Sequence, residues 1–270
     1  MNRGRRGETP RSPRTSRGNV VCDLDGVVYL TDTAVPGAGA ALAEVERRGY
    51  RLLFATNAPI RTPEAVAAHV ASVSGYPADA GQVVTSAMAA AGVLSAADGP
   101  VLVVGEAGLG TTLRRSGFSL TMDPLQACSV VVGLDRRLTY DHLRIAAQAL
   151  GRGARFVATN RDPTYPTESG PWPGGGAIVA ALETATGRVA EVVGKPHRPM
   201  RDAIRRRLGP GPTWVVGDRP ETDVALGREE GWTTVLVLTG VVGDPAQVPA
   251  GLAPDLLLAS LADFPAHLPS

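Results

Sequence analysis

From Asn19 onward, short apolar runs alternate with segments of helical character, and this alternation limits the fold more than any other feature of the sequence. NVVCDLD reads as a buried strand, GAGAALAEVERRGY as a helix ending near Gly49, and RLLFATN as a second strand. TPEAVAAHVASV reads as another helix, with Thr62 as its N-cap and Pro63 in its first turn. The middle of the chain continues the rhythm: VLVVGE as strand, TTLRRSG as helix, SVVVGLD as strand, DHLRIAAQALGRG as helix and RFVATN as strand. A glycine-led helix over GGGAIVAALETATG follows, then EVVGKP, a helix through MRDAIRRRLG, and the strands TWVVGD and TTVLVLTG. Glycine and proline punctuate nearly every junction. Strand and helix in strict alternation predict an α/β fold with a parallel sheet.

Several of the apolar runs end in a reactive side chain. VVC runs into Asp23, RLLFA into Thr56 and Asn57, EVVG into Lys195, and TWVVG into Asp218 with Asp223 five residues on. In an open parallel sheet the carboxyl ends of the strands share one edge, and ligands bind there. Motifs scattered along the sequence therefore converge in space if the sheet forms.

Residues two apart on an extended segment point to the same side, so Asp23 and Asp25 approach one ligand together. Close carboxylates repel, and a cation relieves the repulsion. With Asp218 and Asp223 at the same edge, a hard divalent cation held by oxygen ligands is the natural solution, and Mg²⁺ suits a few carboxylates, waters and a substrate phosphate. Lys195 adds a point charge for a phosphate oxygen, Thr56 and Asn57 add neutral donors, and Gly26 lets the backbone approach closely. The set reads as a phosphoryl-transfer site. Asp23 is the expected nucleophile, forming an aspartyl-phosphate, and Asp25 the expected acid and base.

DLDGV, TN, GKP and GDRPETD, in that order, resemble the motifs of the haloacid dehalogenase superfamily of phosphatases. VVVGLD, FVATNRDPTYPTESGPWPGGGAIVAALETATGR and VLTGV narrow the resemblance to the branch with p-nitrophenyl phosphate, phosphoglycolate, pyridoxal phosphate and glycerol 3-phosphate phosphatases. The resemblance runs from Asn19 to about Val242. It implies a Rossmann-like catalytic core at 19–81 and 190–270 with an inserted α/β cap domain at 82–189. It assigns Mg²⁺ to the Asp23 and Asp218 side chains and the Asp25 carbonyl, with Asp223 supporting both metal and Lys195. Thr56, Asn57 and Lys195 hold the phosphoryl group, and Tyr165 faces the substrate from the cap, where pyridoxal phosphate phosphatases carry histidine. Ala58 departs from the Thr-Asn-Asn of many members. The expected substrate is a small phosphomonoester, such as glycerol 3-phosphate, phosphoglycolate or a sugar phosphate. Relatives in this branch also form homodimers through the cap.

Composition narrows the alternatives. The 270 residues are 44% apolar and 20% charged, an ordinary globular balance, and contain no apolar run long enough to span a membrane. Cys22 and Cys128 make no disulfide framework, which fits a cytoplasmic protein, and the four histidines lack the spacing of a zinc site. Residues 1–18 carry six Arg and one Glu, leaving −4 on the remaining 252 residues out of a net charge of +1. That segment reads as a disordered basic tail. A non-catalytic protein holding nucleic acid through the tail would be expected to have lost the aspartate pair or the lysine, and both are intact; no nucleic-acid partner is expected. A dehalogenase would not need the second aspartate, and a phosphomutase on the same scaffold stays open. PGGGA, Pro173 to Ala177, reads as a tight turn packing the cap rather than a phosphate cradle, and Cys22 as a buried strand residue.

Overall fold

The computed structural model describes residues 16–269. Two parallel sheets organise them. The larger has six strands in the order Leu256–Leu258, Thr233–Val237, Thr213–Gly217, Gly18–Cys22, Tyr50–Thr56 and Val83–Thr85. Numbered along the chain, this is the doubly wound order 3-2-1-4-5-6, with the strand order reversing beside Gly18–Cys22 while all strands stay parallel. All five residues of that strand are buried, as expected of a central strand covered on both faces.

The flanking helices follow from local sequence. Ala38–Arg47 buries Ala38, Ala41, Leu42 and Val45, which repeat every three or four residues and form one apolar stripe. Pro63–Ser74 is capped by Thr62, whose hydroxyl accepts from the Ala65 N–H, and stops at Gly75 in the left-handed conformation. Phe54, Leu24, Leu42 and Leu52 are fully buried in the cluster beneath these helices. Each such side chain contributes about 1.5–3 kcal/mol on leaving water.

The second sheet has five parallel strands, in the order Glu191–Val192, Arg155–Ala158, Ser129–Val132, Val101–Val104 and Leu120–Thr121. Helices Tyr140–Gly151 and Gly175–Thr186 pack on it through Ala146, Ala149, Leu150, Val179 and Leu182. Together they form the α/β cap, inserted between two strands of the core sheet.

The expected boundaries of the cap need correction at both ends. The strand Val83–Thr85, placed in the cap by a boundary after residue 81, pairs with Phe54 to Thr56 in the core sheet. Glu191–Val192, placed in the core, pairs with Val157 and Ala158 in the cap sheet. Both strands are two or three residues long, too short to show which sheet they join. The basic tail lies outside the described residues except at its end. There the strand already begins at Gly18, and the Arg17 N–H donates to the Gly49 carbonyl at 3.0 Å. Among the described residues no helix is long and apolar enough to cross a membrane.

Candidate active site

Asp23 follows the central strand directly, where the strand order reverses, and its N–H donates to the Val216 carbonyl of the neighbouring strand at 2.8 Å. That bond fixes the start of the loop to the sheet. Asp218 ends the neighbouring strand Thr213–Gly217. Asp223 is carried back toward it by one wide helical turn, Pro220–Val224, in which the Asp223 N–H donates to the Arg219 carbonyl at 2.9 Å. Carboxylate oxygens of Asp23, Asp218 and Asp223 lie within 4.8 Å of one another.

Lys195 enters this group from the end of the cap insertion. Its Nζ stands 2.8 Å from Asp23 Oδ1 and 2.7 Å from Asp223 Oδ1, with 2% of its side chain exposed. Burial by itself would strip the lysine of its proton. Asp223 and Asp23 outweigh it, and the ammonium is held more firmly than an ordinary lysine.

Three carboxylates face one lysine, so negative charge is in excess. Burial pushes Asp23 well above the usual carboxylate range, against the pull of Lys195. Burial, reinforced by the Asp223 charge, pushes Asp218 up to about 7. Asp218 receives only one compensating bond of note, from the Val241 N–H at 2.7 Å. Asp223 is better provided: its Oδ2 accepts from the Arg219 N–H and the Thr222 hydroxyl, each at 3.2 Å. Oxygen donors, excess negative charge and small separation fit a hard divalent cation at Asp23 and Asp218, with Asp223 engaged by Lys195.

Glycines make this crowding feasible. A Cβ at Gly26, whose φ is 82°, would lie 2.3 Å from Asp218 Oδ2, and a Cβ at Gly217 would lie 2.1 Å from Asp223 Cγ. Gly26 is thus needed for its left-handed backbone and for the space it leaves.

Asp25 lines the same cleft, half-buried, with Tyr165 beside it in the lining. Burial raises its proton affinity, and the nearby Tyr165 hydroxyl opposes that rise. Tyr165 comes from the short cap hairpin Thr164–Tyr165 with Trp172–Pro173, and is buried at the cap–core junction. Arg219 locks the same hairpin, donating to the Thr164 carbonyl at 3.0 Å and to its hydroxyl at 3.2 Å.

Every sequence-predicted site residue meets at one cleft: Asp23, Asp25, Thr56, Asn57, Tyr165, Lys195 and Asp218 line it, and Asp223 joins Asp23 and Asp218 beside it. The Thr56 hydroxyl accepts from the Ala58 N–H at 3.0 Å, leaving its own proton for a ligand. Asn57 lines the cleft too. Its side chain is engaged with protein groups: Oδ1 accepts from the Lys195 N–H at 2.7 Å, and Nδ2 lies 3.3 Å from the Lys195 carbonyl and 3.2 Å from Asp162.

Asp162, Thr164 and Arg219 also line the cleft and were not singled out from the sequence. RLLFATN and RFVATN end in two asparagines that meet here: Asn160 donates to the carbonyl of Asn57 at 2.8 Å. The glycines of PGGGA serve packing, as expected: a Cβ at Gly174 or Gly176 would lie 2.3 Å from the carbonyl of Asp162 or Arg161 respectively.

Residues 20–119 match the haloacid dehalogenase-like hydrolase family, and residues 192–264 match a HAD-hydrolase-like family. The 5'-nucleotidase YutF of Bacillus subtilis is 36% identical over 232 residues, covering 84% of this chain and 89% of that protein. Human chronophin is 38% identical over 240 residues, covering 82% of this chain and 81% of its own. Among solved structures, the glycerol phosphate phosphatase of Mycobacterium tuberculosis in complex with magnesium superimposes with a TM-score of 0.79 at 34% identity, covering 90% of this chain and 74% of that one. The chain thus belongs to the haloacid dehalogenase-like hydrolases, in their branch of phosphoric monoester hydrolases.

Proposed function

We propose that this protein is a Mg²⁺-dependent phosphatase that hydrolyses a small phosphomonoester through an aspartyl-phosphate. The observation that carries this reading is Lys195 Nζ between Asp23 and Asp223, at the edge where Asp218 and Asp25 also arrive. One carboxylate is presented to a ligand beside a fixed positive charge, and a second, protonatable carboxyl lines the same cleft.

The residues divide the work as follows. An Asp23 carboxylate oxygen attacks phosphorus, and the bond to the ester oxygen breaks. Asp25, its proton affinity raised by burial, gives its proton to the departing alkoxide. Asp25 then takes a proton from the water that attacks the acyl phosphate, which frees Asp23 and inorganic phosphate. Lys195 and the Thr56 hydroxyl stabilise charge on the phosphoryl oxygens. Asp23 and Asp218, with the Asp25 backbone carbonyl, would hold Mg²⁺, which when bound supplies further charge neutralisation at the phosphoryl group. Asp223 keeps Lys195 charged and in place.

The substrate is a small ester, such as glycerol 3-phosphate, phosphoglycolate or a sugar phosphate. The likeness to a glycerol phosphate phosphatase supports this. Cys22 and Cys128 are both free thiols, which supports a reducing compartment such as the cytoplasm.

The test is phosphate release from p-nitrophenyl phosphate and a panel of small phosphomonoesters, with Mg²⁺ and with chelator, for wild type and Asp23→Asn. Metal-dependent turnover lost in Asp23→Asn is expected. A folded, Mg²⁺-loaded wild type inert on every ester would sink the reading.

A further inference from the structure

The cap delivers one carboxylate to the cleft for which the phosphoryl chemistry has no task. Asp162 is half-buried, and its two carboxylate oxygens lie 3.2 and 3.4 Å from Asn57 Nδ2. The same Asn57 amide grips the backbone of Lys195, accepting from its N–H at 2.7 Å and lying 3.3 Å from its carbonyl. A primary amide nitrogen carries two hydrogens, so Nδ2 serves Asp162 and the Lys195 carbonyl together. The contacts thus form a continuous line from a cap carboxylate, through a core amide, to the backbone of the lysine beside the nucleophile.

Asp162 is itself held from both sides. Its N–H donates to Asn160 Oδ1 at 3.1 Å, and its carbonyl accepts from the Gly176 N–H at 2.9 Å. Asn160 in turn donates to the Asn57 carbonyl at 2.8 Å. Two cap residues therefore hold one core asparagine. The choice of an acid matters. An ionised carboxylate only accepts, so Asn57 must turn Nδ2 toward it and Oδ1 toward the Lys195 N–H. The flipped amide would set an oxygen against the carboxylate and an NH₂ against the Lys195 N–H.

We infer that Asp162 is a positioning residue of the phosphatase reaction: from the cap, it fixes the orientation of the Asn57 amide and, through it, the backbone that places Lys195 Nζ between Asp23 and Asp223. This rests on the phosphatase reading above. It also ties the docking of the cap to the geometry of the lysine.

A group acting through Lys195 affects every substrate alike, whereas a group touching the alcohol portion affects each ester differently. Asp162→Ala is therefore expected to lower kcat about tenfold by the same factor on p-nitrophenyl phosphate and on each alkyl ester, with KM nearly unchanged, in line with the usual cost of losing a group that orients a functional one. Asp162→Asn keeps the volume and can still turn an oxygen toward Asn57 Nδ2, so it retains kcat to within about threefold on the same argument. Combined with Asn57→Ala, the loss from Asp162→Ala should not add to that of Asn57→Ala alone, because both act along one line.

Additive losses, or a loss confined to KM for one ester, would overturn the inference. So would an Asp162→Ala protein with wild-type kcat. If Asp162→Ala does not fold, the Asp162→Asn protein decides: an ester-dependent loss from it also refutes the inference. An inert wild type takes down the phosphatase reading and this one together. An active wild type with an unaffected Asp162→Ala variant takes down only this one.

Discussion

Asp218→Asn should make the metal-free protein more stable while abolishing its activity. Asp218 is 2% exposed, and burial with the Asp223 charge lifts its carboxyl from the usual 3.8 to about 7. Every tenfold rise in proton affinity corresponds to about 1.36 kcal/mol, so the ionised Asp218 side chain costs the folded state at most about 4 kcal/mol. Coupling to its acidic neighbours makes about 2 kcal/mol the more conservative figure. Asparagine removes the charge. Its oxygen can accept from the Val241 N–H where Asp218 Oδ2 now does, and its NH₂ can face the remaining acids.

The pH dependence follows from the raised proton affinity. Below pH about 4 the Asp218 carboxyl is protonated in the folded and unfolded chains alike, and the variant gains nothing. Between that point and about 7 the folded state retains a proton the unfolded state has released, so wild-type stability falls as pH rises. Above about 7 the penalty is complete. The assay is thermal unfolding in chelator at pH 8 and again near pH 4, with Mg²⁺ titrated in at pH 8. A gain of about 2 kcal/mol raises Tm by about 4–8 °C for a chain of this size. Mg²⁺ should stabilise the wild type and not the variant, since a cation that binds the folded state alone adds to its stability. A metal-free variant less stable than wild type at pH 8 would refute the charge-excess reading, as would an equal gain near pH 4.

The other predictions concern the same cleft. Lys195→Met leaves Asp23 and Asp223 without their shared cation, so unfolding in chelator should show a loss of about 3–5 kcal/mol and steady-state assays a kcat lower by about 10²–10³. Gly26→Ala forces a side chain onto Asp218 at a φ of 82°, so thermal unfolding should reveal a loss of at least about 1–3 kcal/mol. Tyr165→Phe removes the hydroxyl that holds down the Asp25 proton affinity, so the ionisation assigned to Asp25 in the pH–rate profile should move to higher pH. An unmoved profile would detach Asp25 from that ionisation.

The catalytic set is legible in the sequence because it depends on local pattern. A glycine after Asp25 marks a tight departure, and parallel strands expose their carboxyl ends at one edge. Those rules, with the order of the motifs, bring Asp23, Asp25, Thr56, Lys195, Asp218 and Asp223 together, and the folded chain does the same. Asn57 reaches the expected cleft, and its side chain also grips the backbone of Lys195. A side-chain amide looks the same in sequence whether it faces a phosphate or the backbone of Lys195, 138 residues away.

The sequence by itself thus determined the α/β alternation, the helix cap at Thr62, and the reactive residues at the strand ends, since each depends on neighbours within a few positions. Tertiary structure alone decided which sheet Val83–Thr85 and Glu191–Val192 join, and that Asp162, Asn160 and Arg219 link the cap to the cleft. Such choices rest on hydrogen bonds and buried charges between segments far apart in the chain. Their energies exist only once the cap has docked and water has left, so no local pattern could carry them.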